Sequence, residues 1–585
     1  MFSIFKKLSW FFKENWKRYT VAIILLTIVG VLDVLPPKLV GDAIDDIQIG
    51  ALMWEDIWQY VGLLIGITFV SYGMTYIWMY QLFGGAFLVE RKLRSQFVGH
   101  LLKMTPTFFE KNRTGDLMAR ATNDLQAISV TAGFGVLTLI DSSIFMLTIL
   151  FTMGFLLSWK LTLAAILPLP FMALLMKIYG ARIHTRFTEA QDAFGELNDK
   201  LLESVSGVRV IRAYVQERAD EKRFSDMTED VYTKNIAVAR IDSLFDPTIK
   251  VLVGMSYLIG LGYGAYLVFH QSITLGQLVS FNVYLGMLIW PMFAIGELIN
   301  IMQRGNASLD RVQETLSYKL DVGDTGHVEK YSEPDGIEFH KLSFRYPASD
   351  TINLKEVDVL IRKGTTLGIV GKTGSGKTTF IRQILREYPE GEGSLKIGGI
   401  RIQDLPMDLL RDWTGYVPQD HILFSKTVRE NILYGKEGAT EEELERAIFQ
   451  ADFKKDLYTL PEGLETIVGE KGVALSGGQK QRISIARALI KDPEILLLDD
   501  ALSAVDAKTE ATIIQNLREE RRGKTTIMAT HRISAVEEAD WILVLDSGKV
   551  AEEGTHADLL EAGGWYKQQY DRQQAADPEM KGVGA

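Results

Sequence analysis

Cysteine is absent from the 585 residues, which excludes disulfides, thiolate metal sites and cysteine nucleophiles, and leaves the redox compartment unreadable. A basic face is missing too. Net charge is −11, of which residues 331–585 carry −10 and residues 1–330 only −1. So acidic a soluble half argues against nucleic acid as the main partner, because phosphate binding needs clustered Lys and Arg. Asp, Glu, Lys and Arg are all absent from residues 61–89 and 251–296. A membrane-crossing helix needs about 20 mainly apolar residues, so the longer stretch holds two spans joined at "HQSIT".

Hydropathy places six spans near 19–41, 57–82, 133–157, 161–180, 248–269 and 275–301. The connections 83–132 and 181–247 carry seven and ten Lys/Arg, whereas 42–56, 158–160 and 270–274 hold only Lys160. Basic residues mark the cytoplasmic side, which puts both termini and the large C-terminal domain in the cytoplasm of a multi-pass plasma-membrane protein. "MFSIFKKLSWFFKENWKR" is basic and aromatic without a signal-peptide cleavage site, and reads as an interfacial helix. The two inner connections read as helical arms, with turn signals at Pro106 and Gly115 in the first. Their tips are expected to touch the soluble domain. Residues 1–317 thus form a polytopic α-helical membrane domain with long cytoplasmic helical extensions. A polar linker, 318–336, leads to an α/β domain over 337–572, and 573–585 is a tail.

That domain opens with a phosphate cradle. "TLGIVGKTGSGKTTFIRQIL" supplies a strand, then Gly371, Lys372, Thr373, Gly374, Ser375, Gly376, Lys377 and Thr378, then a helix. Backbone N–H groups of such a loop curl around phosphate at a helix N-terminus. Lys377 reaches the β- and γ-phosphates, and the Thr378 hydroxyl suits Mg²⁺. "PEILLLDD" is a buried strand that delivers Asp499, a second Mg²⁺ ligand, beside the cradle. In "ALSGGQKQRISIARALI", Leu475, Ser476, Gly477, Gly478 and Gln479 open an amphipathic helix whose N-terminus suits either an anion or an ordinary cap.

With these motifs in this order, the chain resembles the ATP-binding cassette exporter half-transporters over essentially its whole length. In detail it is similar to the smaller subunits of bacterial heterodimeric multidrug exporters. The resemblance makes "GKTGSGKTT", which includes Thr379, the Walker A motif, "ILLLDD" Walker B and "LSGGQ" the signature. It implies ATP and Mg²⁺ as cofactors and two sites in a head-to-tail dimer, each joining one subunit's Walker motifs to the other's signature. It also implies that Tyr346 stacks on adenine and that Gln419 contacts Mg²⁺ and the attacking water. By the same resemblance Glu470 senses the membrane domain, Asp506 couples the two ATP sites and His531 holds the γ-phosphate.

The chain departs from the family at Asp500, where glutamate is expected. A general base must lie about 2.6–3.2 Å from the proton it takes. Loss of a methylene withdraws the carboxylate by up to ~1.5 Å, and a misplacement of ~1 Å can cost about 100-fold in rate. Asp500 should be a weak base. The expected partner is therefore a homologous half-transporter carrying the glutamate, with a homodimer as the alternative.

Aromatic and Met side chains in the spans (Trp78, Tyr80, Phe145, Met146, Tyr257, Tyr284, Trp290) suit amphipathic small-molecule substrates or ordinary packing. Asp33 and Asp141 interrupt the first and third spans, so a cation-attracting cavity is expected, unless a local Lys or the outer interface accounts for either acid. ATP-driven drug export is the leading reading. Lipid or peptide export uses the same machinery, and an ATP-gated channel or sensor subunit is the reading from another class.

Overall fold

The computed structural model describes residues 3–50, 53–323, 333–469 and 474–576. They divide into two compact units. The first comprises residues 1–99 and 118–317, and the second 100–117 and 318–585.

The first unit is helical. In lipid every backbone polar group must be satisfied within the segment, and helices meet that demand where charge-free sequence is longest. Helices Ser3–Lys7 and Ser9–Glu14 take up the basic, aromatic start of the chain. Among the described residues five helical stretches are long and apolar enough to cross a membrane: Trp16–Gln48, Trp54–Leu101, Thr114–Ser206, Glu217–Phe269 and Leu275–Leu316. The third, 93 residues long, contains both expected spans 133–157 and 161–180. It is not one straight rod. Ser158 leaves helical geometry (φ −159°, ψ 117°), and its hydroxyl caps the next helix, Trp159–Ile166, by accepting from Leu161 N–H. The Trp159 ring lies over Gly154, where a Cβ would come within 2.5 Å of it. Before this break the backbone widens into π-helical turns at Arg120–Asp124, Asp141–Phe145 and Thr152–Ser158. A core of Ile149, Met153, Leu161, Phe281, Tyr284 and Leu285 knits these helices to Leu275–Met287.

The second unit is α/β. Strands β1 (Ile337–Arg345), β2 (Ile352–Ile361), β4 (Glu392–Ile397) and β5 (Ile400–Arg401) form an antiparallel sheet in the order β2-β1-β4-β5. Strands β3 (Thr366–Gly371), β6 (Thr414–Val417), β7 (Ile495–Asp499), β8 (Thr525–Ala529), β9 (Trp541–Asp546) and β10 (Lys549–Gly554) form the second sheet, ordered β10-β9-β3-β8-β7-β6. Its members pair in parallel except β10, and β7 and β8 are buried along their whole length, as expected of a sheet covered on both faces.

The first inner tip, with helix Pro106–Lys111, belongs to this α/β unit, whereas the second, around Val208–Ala213, belongs to the helical unit. Residues 324–332 of the expected linker and the expected sensor Glu470 lie outside the described residues. The last helix, Trp565–Ala576, runs into the stretch set apart as a tail from 573.

Candidate functional site

Strand β3 runs between β9 and β8 and turns out of the sheet at Gly371. The turn demands glycine. At φ +153° a Cβ on Gly371 would sit 2.2 Å from the Leu545 carbonyl oxygen, whereas Gly374, at φ +79°, faces open space. The loop ends at Gly376 (φ +109°), and helix Lys377–Ile384 begins there. Lys377 Nζ folds back onto the carbonyls of Gly371 (2.8 Å) and Lys372 (3.0 Å). Burial holds its ammonium below the usual lysine range, with Asp500 and Asp499 opposing. A phosphate arriving in the loop would find N–H donors at a helix N-terminus and a lysine poised beside them.

Strand β7 ends next to this loop. Thr378 Oγ1 donates to Asp499 Oδ1 at 3.0 Å. The other carboxylate oxygen, Asp499 Oδ2, is buried with no hydrogen-bond partner among the described residues. Burial pushes this carboxyl above its ordinary range, against the Thr378 bond and the Arg382 charge. A hydroxyl and a buried carboxylate with an unused oxygen are hard donors, and they fit Mg²⁺.

The parallel register pairs Asp499 with Ala529, and Asp500 N–H donates to the Ala529 carbonyl at 2.8 Å. Each strand then exits the sheet side by side, which brings Asp500 and His531 together. Asp500 adopts φ +49°, and its Oδ1 lies 2.9 Å from His531 Nδ1. The carboxylate is thus drawn onto the imidazole. Asp506 caps helix Ala507–Glu520, its two oxygens accepting from Thr509 N (3.0 Å) and Thr509 Oγ1 (2.8 Å).

Ser476 opens helix Gly477–Leu489 with a reciprocal cap: Gln479 N–H donates to Ser476 Oγ (3.2 Å) and Ser476 N–H to Gln479 Oε1 (3.0 Å). Among the described residues no hydrogen bond or ion pair joins Leu475, Ser476, Gly477, Gly478 or Gln479 to the cradle, Asp499, Asp500 or His531. Tyr346 sits beside the cradle, its hydroxyl 3.0 Å from that of Thr379 and its ring packed edge-on against Phe344 and Tyr388. Gln419 is exposed at the end of β6.

Sequence reading missed Gln481. Its Nε2 donates to the Asp500 carbonyl (3.3 Å) and its Oε1 accepts from Ala504 N–H (2.9 Å), tying the helix that follows Ser476 to the aspartate. Its position two residues past "LSGGQ" was the available signal. His421 also escaped notice; its Nδ1 is buried and unpartnered among the described residues, and burial pushes the imidazole down from its usual value.

In the helical unit Trp290 Nε1 donates to Asp141 Oδ2 at 2.9 Å, within the second π turn. Asp33 is exposed at the C-terminal end of Trp16–Leu32. Among the described residues no hydrogen bond joins it to Asp141 or Trp290.

Two family descriptions match the chain: ABC transporter transmembrane region over residues 19–292 and ABC transporter over residues 354–503. The chain is 65% identical, over all of both chains, to a probable multidrug resistance ABC transporter ATP-binding/permease protein of Bacillus subtilis. It is 42% identical to the multidrug resistance-like ATP-binding protein MdlA of Escherichia coli, over 98% of this chain and 97% of the relative. At 33% identity it matches an ATP-dependent lipid A-core flippase of Syntrophus aciditrophicus, over 99% and 96% of the two chains. A solved bacterial Atm1-family ABC exporter with ATP bound shares the fold, with TM-score 0.76 at 27% identity over 95% of this chain and 98% of that one.

Proposed function

The chain belongs to the ABC transporters, as a multi-pass exporter that couples ATP hydrolysis to transport, and from that premise we propose that it is the hydrolytically weak half of a heterodimeric exporter of amphipathic drugs. The observation that carries this is the Asp500–His531 contact of 2.9 Å. The carboxylate after Asp499 is one methylene shorter than glutamate, and it is paired with an imidazole.

In this reading the Gly371–Thr379 loop and Lys377 hold the phosphates, and Thr378, Asp499 and Gln419 hold Mg²⁺, which neutralises phosphate charge. Tyr346 turns to adenine, His531 contacts the terminal phosphate and Asp500 takes the water proton slowly. Ser476 and its glycines complete the site of the partner, a homologous half-transporter with glutamate at this position, and Asp506 links the two sites. In this reading the chain crosses the cell membrane six times, the long stretch Thr114–Ser206 supplying two crossings that meet near Ser158, with both termini and the ATPase domain cytoplasmic. Residues 1–317 then form the membrane domain, 318–336 the linker and 337–572 the cassette. Asp33, Asp141 and Trp290 lie on the substrate path.

Asp500→Asn in the assembled transporter tests the asymmetry. We expect most ATP turnover to survive, because the partner's site carries it. A fall to background would make Asp500 the essential base and defeat the proposal. Lipid export is a second reading, favoured by the 33% identity to a lipid A-core flippase. ATP-dependent accumulation of dye, without lipid movement, in inverted vesicles separates the two.

A further inference from the structure

The loop that follows β8 carries His531, and its backbone there is outside any strand ladder. Gln573, near the end of helix Trp565–Ala576, supplies partners to two of its backbone groups. Its Nε2 donates to the His531 carbonyl at 2.9 Å, and its Oε1 accepts from Ile533 N–H at 2.8 Å. These groups belong to the two peptide units that flank Arg532. A primary amide holds a donor and an acceptor in one rigid plane, so a single side chain fixes both units at once. Fixing them sets the direction in which the His531 side chain leaves the backbone.

The same loop is held from its other side. Arg532 donates to the carbonyls of Ser503 (2.9 Å) and Val505 (3.2 Å) and to Glu510 (2.6 Å), and Ser534 donates to Glu510 at 2.7 Å. His531 is thereby aimed by a two-sided clamp, of which Gln573 is the part outside the sheet domain proper.

Gln573 is itself placed by the helix that bears it. Tyr566 is fully buried, with its hydroxyl 2.7 Å from His556 Nδ1, and the Tyr570 ring lies 5.3 Å from the same imidazole. Positions 566, 570 and 573 fall at i, i+4 and i+7, one stripe of a helix. Glu552 caps the start by accepting from Trp565 N–H (2.5 Å) and Tyr566 N–H (3.2 Å). With one end capped and two rings seated, the amide arrives at the loop in a fixed register.

We propose that Gln573 is a positioning residue for the ATP site, acting through His531; the inference rests on the reading of His531 as the γ-phosphate contact. The C-terminal helix is then part of the hydrolytic apparatus rather than an appendage to it. ATP affinity should not depend on Gln573, because it touches neither the cradle nor Asp499.

The test is a double-mutant cycle in the full-length transporter purified from membranes, with the partner's catalytic glutamate replaced by glutamine so that only this chain's own site is read, measuring single-turnover ATP hydrolysis and its dependence on ATP concentration. Gln573→Ala and the apolar isostere Gln573→Met should lower the rate constant about ten-fold, the scale expected for a sub-ångström misplacement, with the half-saturating ATP concentration unchanged. In a His531→Ala background neither should lower it further. An unchanged rate, a shift confined to ATP affinity, or a loss that persists without His531 would each overturn the proposal. If His531→Ala alone left hydrolysis unchanged, the assignment of His531 itself would fail, and the role of Gln573 with it. Should every Gln573 variant unfold the protein in a thermal scan, the residue is structural and the proposal is also overturned.

Discussion

The Tyr388 hydroxyl donates to Glu110 Oε1 at 2.6 Å, a bond between residues 278 apart in sequence. Tyr388 is fully buried, and burial, reinforced by the bond to Glu110, pushes its phenol far above the usual range, so it stays a donor at any physiological pH. Around it Phe108 packs edge-on against Tyr318, and Thr105 hydrogen-bonds Asp321. The first inner tip is thus fastened within the α/β unit by a hydrogen bond to a carboxylate, the strong class.

Tyr388→Phe keeps the ring and removes only that bond. Coupling free energies between distant sites run about 1–3 kcal/mol, so the dye moved per ATP should fall about five-fold or more while ATP hydrolysis continues. Paired transport and ATPase measurements on the same vesicles check this. Equal losses in both would show a folding defect instead.

Asp500→Glu restores the missing methylene. The extended carboxylate gains up to ~1.5 Å of reach, and single-turnover hydrolysis at this site should rise about 10- to 100-fold. The prediction fails if the rate is unchanged, since reach would then not be what limits Asp500.

Much of this site was legible because its chemistry is local in sequence. The glycine loop leads from β3 into helix Lys377–Ile384, Thr378 meets Asp499, and Ser476 caps the helix it opens. What was not legible depends on register between distant strands. Asp500 meets His531 only because β7 pairs with β8 so that Asp499 faces Ala529. Gln573 opens the polar stretch that reads as a tail, and only the helix Trp565–Ala576 carries it to the His531 loop. The π turns at Arg120–Asp124, Asp141–Phe145 and Thr152–Ser158 leave no mark in hydropathy, because an added residue per turn shifts a helical stripe without changing its composition. Glu110 carries no local signal, because its partner Tyr388 lies 278 residues away in sequence.

Two cradle glycines should respond differently to alanine. At Gly371 the new methyl would lie 2.2 Å from the Leu545 carbonyl, which forms part of the β3–β9 pairing, so Gly371→Ala should lose the fold of the domain. Gly374 has open space, and Ala there meets only the cost of a positive φ, about 1–2 kcal/mol. Gly374→Ala should therefore fold with a slightly lower melting temperature but bind ATP weakly, because the methyl occupies the hollow meant for phosphate. Circular dichroism with nucleotide titration separates the two.

Asp506 has a cap to lose as well as a proposed link between sites. Asp506→Ala should cost about 1 kcal/mol of stability, the usual value for an N-cap, and Asp506→Asn much less. The backbone N–H of Thr509 holds the Asp506 carboxyl below its ordinary value of 3.8. A depressed carboxylate contributes stability that is complete above the unfolded-state value and is lost as pH falls through the folded one. The difference between wild type and Asp506→Ala should accordingly hold at neutral pH and shrink only below about pH 3.8, to the part that a neutral carboxyl still supplies as an acceptor. Melting curves of both proteins across that range report it. A difference already gone at pH 5 would mean the cap is not ionic.

Asp141 offers a way to divide charge from hydrogen bonding. Its Oδ2 accepts the Trp290 indole N–H at 2.9 Å, and an asparagine carbonyl at the same place accepts that N–H equally well. Asp141→Asn therefore keeps the two helices joined and removes only a negative charge, which is costly inside a bilayer unless it has a use. If the charge attracts cationic substrates, transport of a cationic dye should fall about ten-fold, the effect of ~1.4 kcal/mol of lost attraction, while a neutral drug of similar size is moved as before. Trp290→Phe reverses the logic. It leaves the carboxylate without its donor, and it should impair both substrates by disturbing the contact between the π turn and helix Ile289–Leu316. Equal transport of cationic and neutral substrates in Asp141→Asn would remove the acid from the substrate path and leave it as a tie between helices.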